Sequence, residues 1–363
     1  MIGVVGGGQL GRMLALAGLR LGERFCFLDP SPDACAGHVG ELVEGGFDDP
    51  AALDRLASRS DLVTFEFENV PSRSLQRLAA RAPVYPPPEA LDVAQDRLSE
   101  KLLFSKLGVP VAPFAAVDSR AQLLDALDDI GLPALAKTRR EGYDGKGQRR
   151  IDERNDAERA WGDLGGVPLL VEKVVDFDRE LSVIAVRDRE GQIAFYPLVE
   201  NHHSGGILRL SLTPAPHVDD DQRERAEAYA RAILEALDYV GVMTLELFEA
   251  DGTLYANEIA PRVHNSGHAT IEGSVTSQFE NHLRAGLGLP LGSTQPVGAA
   301  AMLNLIGELP DLRNVLTMPD AHIHLYDKEP RPGRKLGHIT IVRKDLASAR
   351  AALASLRPSS HTS

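Results

Sequence analysis

Lys137 ends the apolar run Ala134-Leu135-Ala136, and Gly142-Tyr143-Asp144-Gly145-Lys146-Gly147-Gln148 follows shortly after it. A glycine-rich loop can lay backbone N–H groups on a polyphosphate while lysines add point charge. No GK[ST] stands at the spacing of a Walker loop, so any phosphate cradle here is of another type. The plain alternative is a hairpin loop with a solvated lysine. Glu246 and Glu258 stand inside two otherwise apolar runs, 243–249 and 253–259, on either side of Asp251-Gly252. Carboxylates inside such strands are costly unless they meet cations. Magnesium held by one or two carboxylates and substrate phosphates fits that need, with manganese as a second candidate. Register decides whether the pair can work together. A regular ladder across a two-residue loop opposes Glu246 to Asn257 and sends Glu258 to the other face. An odd-length loop or a bulge opposes Glu246 to Glu258, and this is the arrangement we expect.

Glu172-Lys173-Val174-Val175 runs out of an apolar strand toward Glu180. The two carboxylates suit an adenine amino group and ribose hydroxyls, or else lie on a solvated edge. Asn257-Glu258 continues into Pro261-Arg262, then His264-Asn265-Ser266-Gly267-His268, a density of donors expected where an anionic substrate docks. His264 and His268 at i, i+4 suggest zinc, but no third ligand or HExxH pattern supports it. Asp327-Lys328-Glu329 leads to Arg331 and Gly333-Arg334-Lys335, which reads as a phosphate clamp or as a solvated charge run.

Gly6, Gly8 and Gly11 follow a strand and open a helix, and Asp29 ends the next strand. That meets the dinucleotide fingerprint, although its physics asks only for an anion before a helix N-terminus. No second nucleotide-binding half and no hydride-transfer acid/base set follows.

The elements that position these groups come from periodicity. IGVV (2–5), FCFL (25–28) and LVTF (62–65) alternate with helical patterns at 9–21 and 50–59, which predicts a parallel sheet with helices on both faces. Pro86-Pro87-Pro88 closes that unit. A helix is expected over 97–106 and another over 119–130, with strands at 110–116 and 134–137. Strand-like runs follow at 169–173, 180–186, 193–199 and 207–212, then a helix near 219–236 and the hairpin around Asp251-Gly252. Strand-like 302–307, 322–326 and 338–342 mark a mixed C-terminal stretch.

The 363 residues exceed one ordinary core, and no apolar run approaches the ~20 residues of a membrane helix. A net charge of −13 without a basic run argues against nucleic acid and anionic lipid. Cys26 and Cys35, without a CxxC pair or a secretory leader, point to a reduced, cytoplasmic chain.

GGGQLGRM (6–13), GYDGKGQ (142–148), NEIAPRVHNSGH (257–268) and YDKEPRPGRKLGH (326–338), in this order, resemble the 5-(carboxyamino)imidazole ribonucleotide synthases of the ATP-grasp superfamily. These are the ATPase subunits of phosphoribosylaminoimidazole carboxylase. The match covers nearly the whole chain. The resemblance implies an α/β protein, α+β in its ATP-grasp part: a Rossmann-like pre-ATP-grasp domain over 1–95, an ATP-grasp domain over 96–290 with a lid at about 115–175, and a small mixed region over 291–363. It implies a homodimer. It implies ATP contacts from Arg97, Lys137, Gly142 to Gln148, Glu172, Lys173, Val174, Val175, Glu180, His203, Asn257 and Glu258. Glu246 and Glu258 would hold magnesium. Gln9, Glu68, Asp144, Arg262, His264, Lys328, Arg334 and Lys335 would meet aminoimidazole ribonucleotide, with His202 and Glu66 as neighbouring alternatives to His203 and Glu68. Asp144, Lys137 and Arg262 are the implied catalytic set. The implied reaction uses ATP and bicarbonate to carboxylate the exocyclic amine through carboxyphosphate, in purine biosynthesis, with no nucleic acid or membrane partner. Rival readings are a sister ATP-grasp ligase such as formate-dependent glycinamide ribonucleotide transformylase, a nicotinamide-dependent oxidoreductase, and a nucleotide-sensing module.

Overall fold

The computed structural model describes residues 1–142 and 146–356, which form three sheets. The first holds β1 (Ile2–Val5), β2 (Phe25–Asp29), β3 (Glu41–Glu44) and β4 (Leu62–Phe65), ordered β3-β2-β1-β4 with every pair parallel. Each apolar run is too short to span more than one strand. Parallel neighbours need a crossover, which the helices Gln9–Leu19 and Pro50–Ala57 supply. β1 and β4 are buried along their whole length, as a sheet covered on both faces requires.

Two helices, Pro88–Gln95 and Arg97–Lys106, lead to the second sheet. Asp96 between them caps the second helix by accepting from Leu98 N at 3.0 Å. Its other oxygen takes Arg139 at 2.6 Å, so the cap also fixes the end of a strand in that sheet. This sheet is antiparallel, with β5 (Phe114–Val117), β6 (Ala134–Thr138), β7 (Gln148–Ile151) and β8 (Leu169–Lys173) ordered β5-β8-β6-β7. Leu123 and Leu127 of the helix Arg120–Ile130 pack with Val171 and Ile151 in its core.

The third sheet has nine strands: β9 (Arg179–Arg187), β10 (Ile193–Phe195), β11 (Val199–Ser204), β12 (Ile207–Thr213), β13 (Gly241–Ala250), β14 (Thr253–Ala260), β15 (Ala299–Ile306), β16 (Ala321–Leu325) and β17 (Lys335–Arg343). Their order is β14-β13-β9-β11-β12-β15-β17-β16, with β10 paired to β9. The C-terminal strands therefore extend this sheet through the β12–β15 pairing, which satisfies the backbone edge that β12 would otherwise expose.

Several elements differ from the periodicity reading. β3, β7 and the helix Ser72–Ala79 were not foreseen, and the strand expected at 110–116 begins only at Phe114, because Pro110 and Pro113 break it. The run 193–199 is a short strand, and a separate strand begins at Val199. Its Asn201-His202-His203 hid it, because polar residues break an apolar pattern. Asn201 is nonetheless buried, donating to Ser182 Oγ at 2.7 Å and accepting from Ser211 Oγ at 2.9 Å. The helix Gln278–Leu287 was also not anticipated, and it packs between the first and third sheets. Cys26 and Cys35 are buried and free. Among the described residues, no helix is long and apolar enough to cross a membrane.

Candidate functional site

A cleft of about 540 Å³ is lined by strands of the second and third sheets and, beside the first sheet, by the start of the helix Gln9–Leu19 and the loop after β4. One wall is the β13–β14 hairpin. Asp251 and Gly252 at its tip both have positive φ, +48° and +72°, as a two-residue type I′ turn requires. The ladder runs regularly from Ala250–Thr253 to Leu247–Ala256, then slips by one residue. Glu246 pairs with Glu258, and Asn257 is the extra residue of a bulge.

The two carboxylates differ in their surroundings. Glu246 has His264 Nε2 at 3.1 Å. Burial, and then the charge of Glu258, push its pKa up to about 8. Burial works upward on Glu258 too, but Arg97, whose guanidinium lies 3.0 Å away, and then Lys137 outweigh it and hold this carboxyl below its usual range. Burial, and then the nearby Arg262, hold the pKa of His264 well below the usual histidine range. Its Nδ1 accepts from Ser266 N, so Nε2 carries the proton that faces Glu246. Among the described residues no three or more His, Cys, Asp or Glu side chains are grouped as a metal cage. Two crowded carboxylates suit a magnesium ion that takes its other oxygens from phosphates and water.

On the opposite wall Glu172 sits between two lysines. Lys137 Nζ lies 2.6 Å from Oε2 and Lys101 Nζ 3.1 Å from Oε1. Burial alone would raise this carboxyl; Lys137 and Lys101 overcome it and bring its pKa down to about 2. Arg97 also donates to Gly142 O at 3.2 Å, linking the start of the glycine loop to Glu258. Lys146, Gln148, Lys173, Val174, Val175 and Asn257 complete this part of the lining. Farther along, His203 Nδ1 meets Glu180 at 2.9 Å; burial disfavours its charge, but Glu180 raises its pKa overall. His202 turns to Glu200 at 2.9 Å instead. Phe177 and Phe248 stack with centroids 4.6 Å apart.

At the other end Arg262 pairs with Glu68 at 2.6 Å, and Lys328 donates to Gln9 across 319 positions of sequence. Gln9, Glu68, Arg262, His264 and Lys335 line the cleft. Lys328 reaches it only through Gln9, while Arg334 donates to Glu329 O and, like Gly147, stands outside the lining. Tyr143, Asp144 and Gly145 lie outside the described residues.

The glycine turn after β1 is filled from within. Glu66 accepts from Gly8 N at 2.7 Å and from Leu10 N and Gly11 N at 3.0 Å, while Asp29 accepts from Gly7 N at 2.8 Å. The anion that the fingerprint calls for is thus the chain's own carboxylate. Asp29 is spent on the turn rather than on a ribose.

Sequence reasoning passed over Lys101, Phe177 and Phe248. Lys101 had a signal, since it stands one turn after Arg97 on the same helix face. The two phenylalanines had none, because their stacking brings the loop between β8 and β9 against β13, far apart in sequence.

Three family models account for most of the chain. The ribonucleotide synthetase preATP-grasp domain matches residues 1–95, the ATP-grasp domain 102–279, and the phosphoribosylaminoimidazole carboxylase C-terminal domain 300–352. The chain is 52% identical over 353 residues to the N5-carboxyaminoimidazole ribonucleotide synthase of Pseudomonas aeruginosa, covering 97% of each. The chain belongs to the N5-carboxyaminoimidazole ribonucleotide synthase family. The crystal structure of the Thermus thermophilus synthetase, 56% identical, superposes with a TM-score of 0.95 over 100% of both chains. An Aspergillus clavatus member in complex with ADP and 5-aminoimidazole ribonucleotide is 34% identical, with a TM-score of 0.91 over 98% of this chain and 96% of that one. This synthase family accounts for the three-part fold, and the nicotinamide reading of the first turn falls away.

Proposed function

We propose that this chain is an ATP-dependent ligase that carboxylates the exocyclic amine of 5-aminoimidazole ribonucleotide, drawing the carbon from bicarbonate, in purine biosynthesis. Membership of the synthase family carries the reaction, and the paired Glu246 and Glu258 opposite Lys137 carry the site. ATP use follows from the ATP-grasp match and from relatives crystallised with ADP or ATP.

In this reading ATP lies between β8 and the β13–β14 hairpin. Lys137, Arg97 and the N–H groups of the glycine loop face the phosphates, and the stretch Glu172–Val175 with Glu180 and His203 faces the nucleoside. Glu246 and Glu258 would hold magnesium, which supplies positive charge to the phosphates when bound. Charge build-up during transfer to bicarbonate is met by Lys137 and Arg97, and carboxyphosphate and ADP result. Carboxyphosphate then releases carbon dioxide and phosphate inside a cleft that excludes water. The amine attacks the carbon dioxide, and Asp144, between Gly142 and Lys146, is our choice for the base that accepts its proton. Arg262, held by Glu68, and Gln9, held by Lys328, orient the ribonucleotide, and Lys328, Arg334 and Lys335 would supply its phosphate with positive charge.

The reading also includes a homodimer and a cytoplasmic location. Two free, buried cysteines agree with a reducing compartment. The deciding assay is phosphate release from ATP with and without 5-aminoimidazole ribonucleotide and bicarbonate, with the product identified. Release that ignores the ribonucleotide, or that depends on formate, would overturn it.

A further inference from the structure

Lys101 is 3% exposed and stands on the helix Arg97–Lys106, between the lid-side sheet and the large sheet. A lysine so enclosed needs partners that justify removing its charge from water. It has two, on different sheets. Its Nζ donates to Ala256 O on β14 at 3.0 Å and lies 3.1 Å from Glu172 Oε1 on β8. β14 is the outermost strand of its sheet, so the Ala256 carbonyl points away from β13 and has no ladder partner there. Ala256 immediately precedes the bulged Asn257 that brings Glu258 opposite Glu246. Glu172 in turn holds Lys137 at 2.6 Å through its second oxygen. One ammonium thus ties the strand that carries Glu258 to the carboxylate that holds Lys137.

The charge count matters as much as the tether. Glu172 and Lys137 alone form a neutral pair, and a neutral pair has little attraction for a triphosphate. With Lys101 the buried triad carries two positive charges and one negative. We propose that Lys101 is a positioning residue for ATP: it compensates Glu172, so that Lys137 keeps a net positive charge directed at the phosphates, and it anchors the edge of β14 beside the bulge. Lys101 does not itself need to touch the nucleotide.

This inference rests on the reading of the cleft as an ATP site, and its test is separable from that reading. A parent enzyme without ribonucleotide-dependent ATP cleavage would sink the reading; the variants below bear on Lys101 alone. Lys101→Met removes charge and tether, Lys101→Gln keeps a donor for Ala256 O and removes the charge, and Lys101→Arg keeps the charge. For the Met and Gln variants the KM for ATP is expected to rise about tenfold or more, with kcat and the KM for 5-aminoimidazole ribonucleotide within about threefold of the parent. Lys101→Arg is expected to stay within about threefold of the parent in all three constants. A folded Met or Gln variant with an unaltered KM for ATP overturns the proposal. So does a loss confined to kcat, or an Arg variant as impaired as the other two. If the Met and Gln variants fail to fold, the Arg variant decides: a KM for ATP about tenfold or more above the parent overturns the proposal.

Discussion

Glu246 stands opposite Glu258 in the β13–β14 ladder because the ladder slips by one residue at Asn257. Without that slip Glu258 would lie on the far face of its strand, and one carboxylate would be left in the cleft. Two carboxylates this close repel, and the pKa of about 8 for Glu246 expresses that repulsion on top of burial.

The pair is therefore expected to be the metal anchor. Glu246→Gln and Glu258→Gln should each raise the magnesium concentration for half-maximal ribonucleotide-dependent phosphate release by about tenfold to a hundredfold. The double variant should lose less than the sum of the two, because both act on one ion. Normal magnesium dependence in either single variant would remove the pair from this role.

Glu172 offers a test on stability. Replacing it with Gln leaves Lys101 and Lys137 facing each other without a counter-charge, and should lower stability near neutral pH by about 3 kcal/mol. The sign with pH follows from the lowered pKa. Its folded value of about 2 lies below the ordinary 4.5, so the contribution is complete above pH 4.5 and fades as pH falls from there toward 2. Urea unfolding of parent and Glu172→Gln at pH 7, 5, 4 and 3 should show the two curves converging at the acid end. A constant gap would mean that Glu172 is not charged in the folded chain.

The parallel sheet was legible because three apolar runs alternate with helical spacing, and the hairpin because Asp251-Gly252 has few other uses. The bulge leaves no mark in the residue pattern, since 253–259 reads as an unbroken strand; it was expected from the chemical demand for two carboxylates on one face, and the ladder bears that expectation out. The Gly6–Gly11 turn was legible as an anion-binding turn but not as a filled one, since Glu66 lies 58 positions after Gly8. Glu172 was assigned from its neighbourhood in sequence, whereas its two lysine partners come from a helix and a strand that only the folded chain brings together.

The filled turn makes a steric prediction. A Cβ at Gly8 would lie 2.6 Å from Glu66 Oε1. The backbone there is extended, at φ −81°, so alanine meets no torsional obstacle and the collision is the whole effect. Gly8→Ala should destabilise by about 1–3 kcal/mol, and adding Glu66→Ala should cost less than the two changes summed. In the parent, about 1 mM NAD⁺ should leave the melting temperature unaltered, because the N–H groups it would use are already taken. A clear upward shift with NAD⁺ would reopen the dinucleotide reading.

His282 joins the first and third sheets and should set part of the acid limit of the fold. Its Nδ1 accepts from Val242 N on β13 at 3.0 Å, so the proton is on Nε2, which meets Thr64 Oγ1 on β4 at 2.8 Å. Both nitrogens are used by the neutral ring, and burial brings its pKa down to about 4 from an ordinary 6.5. Between those values the unfolded chain takes a proton that the folded chain refuses. Stability therefore falls as pH drops from 6.5 to 4 and levels off below, with a total of about 3 kcal/mol from this residue. His282→Gln should be less stable than the parent at pH 7.5, where two hydrogen bonds are disturbed, yet should lose less on acidification. Urea midpoints at pH 7.5, 6, 5 and 4 give the comparison. Parallel decline of parent and variant would assign the acid sensitivity to other groups, with the buried His264, His268 and His338 next in line, since burial holds all three well below the usual histidine range.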